Sequence, residues 1–150
     1  MISIELPKPK LFLLPVLCVL VQFSATSVAA QTNNSFTVEN YYKVKWGYAD
    51  EFISLWSRNH YPLLKEAKKN GTILSVTAHK PKLHSSEETR WDFRVTIVFK
   101  NSTYAFDPDL TTPFKKLLYP DLDKLARDEQ HRFELLIAHW DVMTENVDLQ

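Results

Sequence analysis

Phe36-Thr37-Val38-Glu39-Asn40-Tyr41-Tyr42-Lys43-Val44-Lys45-Trp46-Gly47 is the stretch from which the fold can be read. Phe36, Val38, Asn40, Tyr42, Val44 and Trp46 alternate with Thr37, Glu39, Tyr41, Lys43 and Lys45. A period of two sends successive side chains to opposite faces, so the segment is a half-buried strand that Gly47 ends. The period then changes. After Asp50 and Glu51, acidic where the positive end of a helix favours negative charge, Phe52, Leu55, Trp56, Leu63 and Ala67 recur at helical spacing on one face. Lys65, Lys68 and Lys69 gather at the far end, and Asn70-Gly71 supplies the left-handed residue that stops the helix.

Working outward, Thr72 to Lys80 and Arg90 to Lys100 are strand-like runs, and the polar residues 81–89 between them read as a long hairpin loop. Thr112-Pro113 opens a second helix, with Thr112 as cap and Pro113 at its tolerated first position. Pro120-Asp121 interrupts it, and Asp121 caps a continuation to about Gln130. Phe133 to Val147 reads as a last strand or as more helix, and its aromatic and branched residues, with a sheet otherwise wanting one partner, favour the strand. The order βαββαβ predicts an α+β, ferredoxin-like fold, a four-stranded antiparallel sheet with both helices on one face. Strands one and three carry apolar or aromatic side chains on both faces, so the bare face needs a cover. A second copy supplies it, and the expected assembly is a homodimer closing two sheets into a dimeric α+β barrel.

The N-terminus carries Lys8 and Lys10, an apolar run from Leu11 to Phe23, and the small residues Ser24 to Ala30. That order predicts a secretory signal over residues 1–30 cleaved after Ala30, leaving one domain over residues 31–150, secreted or periplasmic and free of the membrane. The run is too short to span a bilayer. Of the 18 basic and 18 acidic residues, Lys8, Lys10 and Glu5 would leave with the signal, so 16 and 17 remain. Without a basic excess, nucleic acid is excluded as a partner. The single cysteine, Cys18, also leaves, which excludes disulfides and thiolate chemistry from the mature domain. Asn33, Asn70 and Asn101 each begin a glycosylation-type triplet.

Chemistry concentrates in Trp56-Ser57-Arg58-Asn59-His60-Tyr61-Pro62-Leu63-Leu64. Pro62 inside a helix removes a backbone bond and predicts a kink. Asn59 falls on the core-facing stripe and His60 at its border, so a cavity lined by Trp56, Asn59 and His60 is expected above the sheet. A ligand can satisfy these polar groups, and so can neighbouring backbone or structural water. His79 and His139, from strands two and four, are further candidates for the same cavity, and Trp91 is an aromatic candidate for its lining. No close-spaced histidine pair and no HExxH predicts a metal site. The only glycines, Gly47 and Gly71, exclude a glycine-rich phosphate loop, GxSxG is absent, and no cofactor is expected.

From Glu39-Asn40-Tyr41-Tyr42-Lys43-Val44-Lys45-Trp46-Gly47 running into Asp50-Glu51-Phe52, through His60-Tyr61-Pro62 and Asn70-Gly71, the chain resembles the dimeric α+β-barrel superfamily and its antibiotic-biosynthesis-monooxygenase-like members. The likeness spans about Phe36 to Asn101. It implies the barrel fold and a homodimer, and it is similar in this respect to cofactor-independent oxygenases of aromatic substrates and to haem-degrading enzymes. In the haem-degrading branch a first-strand asparagine belongs to the active site, and Asn40 matches it, while Phe99 stands where that branch carries a tryptophan. The expected function is binding of a small apolar or aromatic molecule in a sheet–helix pocket. The alternative is a cofactor-independent monooxygenase of an aromatic or polyketide-like substrate, with His60 as acid or base and Asn40 or Asn59 orienting it.

Overall fold

The computed structural model describes residues 34–83, 85–145, 147 and 149; the signal segment expected over residues 1–30 lies outside them, as does His84. Strand β1 runs Phe36–Val44, and a continuous helical stretch follows as α1 (Ala49–Leu55), a π-helical turn (Trp56–His60) and α2 (Tyr61–Lys69). Then come β2 (Ile73–His79), β3 (Phe93–Phe99), the short α3 (Ser102–Ala105), α4 (Thr112–Leu118), α5 (Leu122–Glu134) and β4 (Leu136–Thr144). The sheet order is β2-β3-β1-β4, with every neighbouring pair antiparallel. This is the βαββαβ ferredoxin-like arrangement, and the expected fold class holds.

Alternation assigns the two faces. Tyr42 and Val44 of β1 and Phe93, Val95, Ile97 and Phe99 of β3 are buried beneath the helices, where they meet Phe52, Leu55, Trp56 and Ala67. Burying such side chains contributes about 1.5–3 kcal/mol each, so this shared layer is the main source of stability. Thr37, Glu39, Tyr41 and Lys43, with Arg94, Thr96 and Val98, take the opposite, open face.

Helix ends follow the chemistry of their residues. Gly71, at φ +79, closes α2, with Thr72 N–H donating to Ala67 O and Gly71 N–H to Lys68 O at 3.1 Å each. That pattern satisfies carbonyls the helix itself leaves free. Asp121 caps α5 by accepting from Lys124 N–H at 2.8 Å, as expected. The α4 cap is Thr111 rather than Thr112, whose hydroxyl donates to Asp109 Oδ1 instead (3.2 Å). β1 stops at Val44, so Trp46 leaves the core face expected of it and lies 68% exposed with the Arg90 guanidinium 4.3 Å above its ring.

Candidate functional site

Pro62 has no N–H, and its ring crowds the carbonyl four residues earlier, that of Arg58. The helix answers with one extra residue per turn over Trp56–His60, where Tyr61 N–H reaches back five residues to Trp56 O. The carbonyls of Arg58 and Asn59 are thereby released from the ordinary ladder. The Tyr119 hydroxyl, at the end of α4, donates its hydrogen to them, 2.9 Å from Asn59 O and 3.0 Å from Arg58 O. Asn59 itself is buried, and its amide donates to Asp128 Oδ2 on α5 at 3.3 Å. Lys124 at 2.6 Å and Arg58 at 3.4 Å share that carboxylate, and the Lys124 hydrogen bond foremost holds it below the usual range. Asn59 therefore ties the π turn to α5. Its side chain is thereby directed at α5.

His60, the next residue, does line a cavity. About 420 Å3 in volume, it lies between the π turn, α2, α4 and α5, with Leu63, Leu122 and Leu125 as apolar wall and Glu129 beside His60. From α5, the buried Arg132 donates to Glu129 Oε2 at 2.9 Å and lies over the rings of Phe133 (4.5 Å) and Phe52 (5.7 Å). Three buried polar atoms here, Trp56 Nε1, Glu129 Oε1 and Arg132 Nε, have no hydrogen-bond partner among the described residues. Leaving such atoms unpaired costs on the order of 1–3 kcal/mol each, so their grouping points to a place meant for polar atoms from outside the chain.

Burial, followed by the Arg132 charge, lowers His60 to about 4, with Lys115 and His139 adding to the fall and Glu129 opposing it. Burial pushes the Tyr42 phenol up to about 12, offset in part by Arg132 and by the nearby Trp56 indole, which is not itself in hydrogen-bond geometry. At neutral pH the site thus presents a neutral imidazole and phenol beside a carboxylate–guanidinium pair. Of these groups His60 and Glu129 line the cavity, whereas Arg132 and Trp56 are packed behind them and do not.

The other expected residues divide by face. His139 of β4 lies on the helix side, stacked on Tyr42 with centroids 4.4 Å apart, and its Nε2 is 3.2 Å from Asp141 Oδ1. Asn40 is also on that side, opposite Asp141 in register, and donates to Val95 O at 3.2 Å. His79 is not: it points to the open face, 3.5 Å from Arg94, because it shares the alternation of Ser75 and Thr77. Trp91 also fails to reach the cavity. Regular β3 pairing starts only at Phe93, and Asp92 caps the strand by accepting from Val44 N–H, so Trp91 turns edge-on to Tyr41 on the open face, centroids 6.0 Å apart. Glu129, Arg132, Tyr42 and Lys115 were not singled out from the sequence. The signal was there: Leu122, Leu125, Glu129 and Arg132 fall at spacings of three, four and three on one face of α5, placing two charges on an apolar stripe.

Sheet order and site together define a ferredoxin-like α+β protein with a polar-floored cavity among its helices. No known protein family profile matches the chain, and no curated protein does. Among solved structures it is similar to a candidate antibiotic biosynthesis monooxygenase from Nitrosomonas europaea, at 11% identity over 77% of this chain and 92% of that one, TM-score 0.48. It is similar also to SnoaB, a cofactor-independent oxygenase from Streptomyces nogalater (12% identity, 77% and 97% covered, TM-score 0.42). A third is a dimeric protein of ferredoxin-like fold from Bacteroides fragilis (12% identity, 75% and 97% covered, TM-score 0.43). These likenesses are distant, and the fold assignment rests on strand order and helix placement. Among the described residues no group of three or more His, Cys, Asp or Glu side chains is arranged to hold a metal ion, and no helix is long and apolar enough to cross a membrane.

Proposed function

We propose that this protein is an exported homodimer that binds a small apolar or aromatic molecule in the cavity above His60. One observation carries the reading. An apolar-walled space of about 420 Å3, within the range of small-molecule sites, ends on His60 and Glu129, next to three buried polar atoms that have no hydrogen-bond partner among the described residues. Leu63, Leu122 and Leu125 exclude water from a ligand body, and Glu129 offers an acceptor to orient it. The signal-like order of residues 1–30 supports export, and a mature chain beginning at Gln31 is its check by N-terminal sequencing.

Ligand binding to the folded state alone raises the unfolding temperature. A thermal-shift screen of aromatic compounds, with 2-naphthol as first probe, is expected to stabilise the native chain. Ala126→Phe, a substitution at an exposed α5 position bordering the cavity, is expected to abolish that shift without lowering the unliganded melting temperature. No stabilisation by any compound, or an equal shift in Ala126→Phe, overturns the reading.

A further inference from the structure

The charges around the cavity do not balance. Lys115 and Lys116 of α4 stand at its mouth, exposed, and among the described residues neither makes an ion pair. Among the described residues Glu129 is the one carboxylate lining the space, and Arg132, which is buried and does not line it, pairs with that carboxylate at 2.9 Å. With His60 neutral the lining carries two positive charges against one negative. The distribution is also ordered: the unpaired cations are at the mouth, while the inner end holds a carboxylate oxygen that lacks a donor.

We infer that the ligand is an amphipathic carboxylic acid, bound with its carboxylate between Lys115 and Lys116, its apolar body along Leu63 and Leu125, and a hydroxyl donating to Glu129 Oε1. This rests on the cavity being the binding site and adds the class and direction of what enters it. A carboxylate turned inward meets Glu129 as a like charge, whereas at the mouth it meets two lysines whose attraction survives in part the screening by solvent. A hydroxyl at the inner end satisfies the acceptor that the Arg132 pair leaves over, and removing that hydroxyl leaves a buried oxygen unpaired. Lys115 also contributes to depressing His60, which shows that its charge is felt inside the cavity.

The test compares 6-hydroxy-2-naphthoate, its carboxamide and 2-naphthoate by isothermal titration against the full chain at low and high salt. The hydroxy acid is expected to bind about tenfold tighter than the amide at low salt, a margin that high salt removes, and several-fold tighter than 2-naphthoate. Lys115→Gln with Lys116→Gln is expected to erase the acid–amide difference, whereas Lys68→Gln, on α2 away from the cavity, leaves it intact. Glu129→Gln is expected to shrink the advantage of the hydroxyl. Equal binding of acid and amide that Ala126→Phe still blocks overturns the carboxylate assignment while leaving the cavity as a binding site. Binding of none of the three probes overturns both, and an acid–amide margin unchanged in the double lysine variant overturns the assignment to the mouth.

Discussion

His60 titrates in the cavity, and its depression has a stability consequence with a definite sign. Folded, its pKa is about 4; unfolded, it returns to the ordinary 6.5. Above pH 6.5 both states hold the ring neutral and the contribution is fully present. As pH falls from 6.5 to 4 the unfolded chain takes up the proton first, so stability is lost, by on the order of 2–3 kcal/mol across the window. Urea unfolding from pH 7 to 4 is expected to show this loss, and His60→Gln to remove that component of it. His131 works in the opposite direction: the Glu51 carboxylate, 2.8 Å from its Nε2, raises it, which favours folding at low pH until pH rises through its folded pKa. It is exposed, so its part is small. Tyr119→Phe deletes the hydroxyl that donates to the Arg58 and Asn59 carbonyls, and a loss of about 1 kcal/mol is expected from denaturant midpoints. A larger effect on ligand affinity than on stability would place α4 positioning at the site.

Elements whose residues share one period were legible before any coordinates. β1 and β3 alternate, α2 ends on Asn70-Gly71, and Asp121 announces α5, so element order and layer followed, whereas the C-terminal segment reads as strand or helix until its pairing with β1 decides it. The π turn was legible only as a fault at Pro62. Sequence predicts that proline breaks an α-helical bond, but whether the chain kinks or inserts a residue depends on Tyr119 and Asp128, 57 and 66 positions further along the chain, being there to take up the released groups. The charged pair beside the cavity was hidden for a different reason. Glu129 and Arg132 carry the charges typical of a solvated helix face, and only tertiary packing shows that they point inward. Gly71 tests the best-defined boundary. Its φ of +79 is strained for any residue with a Cβ, yet no atom lies within 4 Å of where that Cβ would stand. Gly71→Ala is thus a purely conformational change, and about 1–2 kcal/mol of destabilisation by chemical denaturation is expected.

For the whole molecule the open sheet face decides the assembly. Tyr41 of β1 stacks on Trp140 of β4 with centroids 5.4 Å apart and planes within 2°, Trp91 meets Tyr41 edge-on, and Arg94 lies over both Tyr41 and Trp91 at 5.9 and 5.5 Å. Trp140 and Val142 nonetheless remain 39% exposed, and Arg94 Nε is buried without a hydrogen-bond partner among the described residues. A face that gathers aromatic rings and an unsatisfied donor, with no helix among the described residues to cover it, gains by meeting its own copy across a two-fold axis, where each ring cluster is shielded by the other sheet. Light scattering after size exclusion is expected to give the mass of two chains, with a melting temperature that rises with protein concentration. Trp140→Glu inserts a charge into that cluster at an edge-strand position exposed in the single chain, so it is expected to yield folded monomers with native far-ultraviolet circular dichroism. Because the His60 cavity lies on the helix side of each sheet, those monomers should still bind the naphthoate probe; a monomer that folds but no longer binds would mean that the partner copy completes the site.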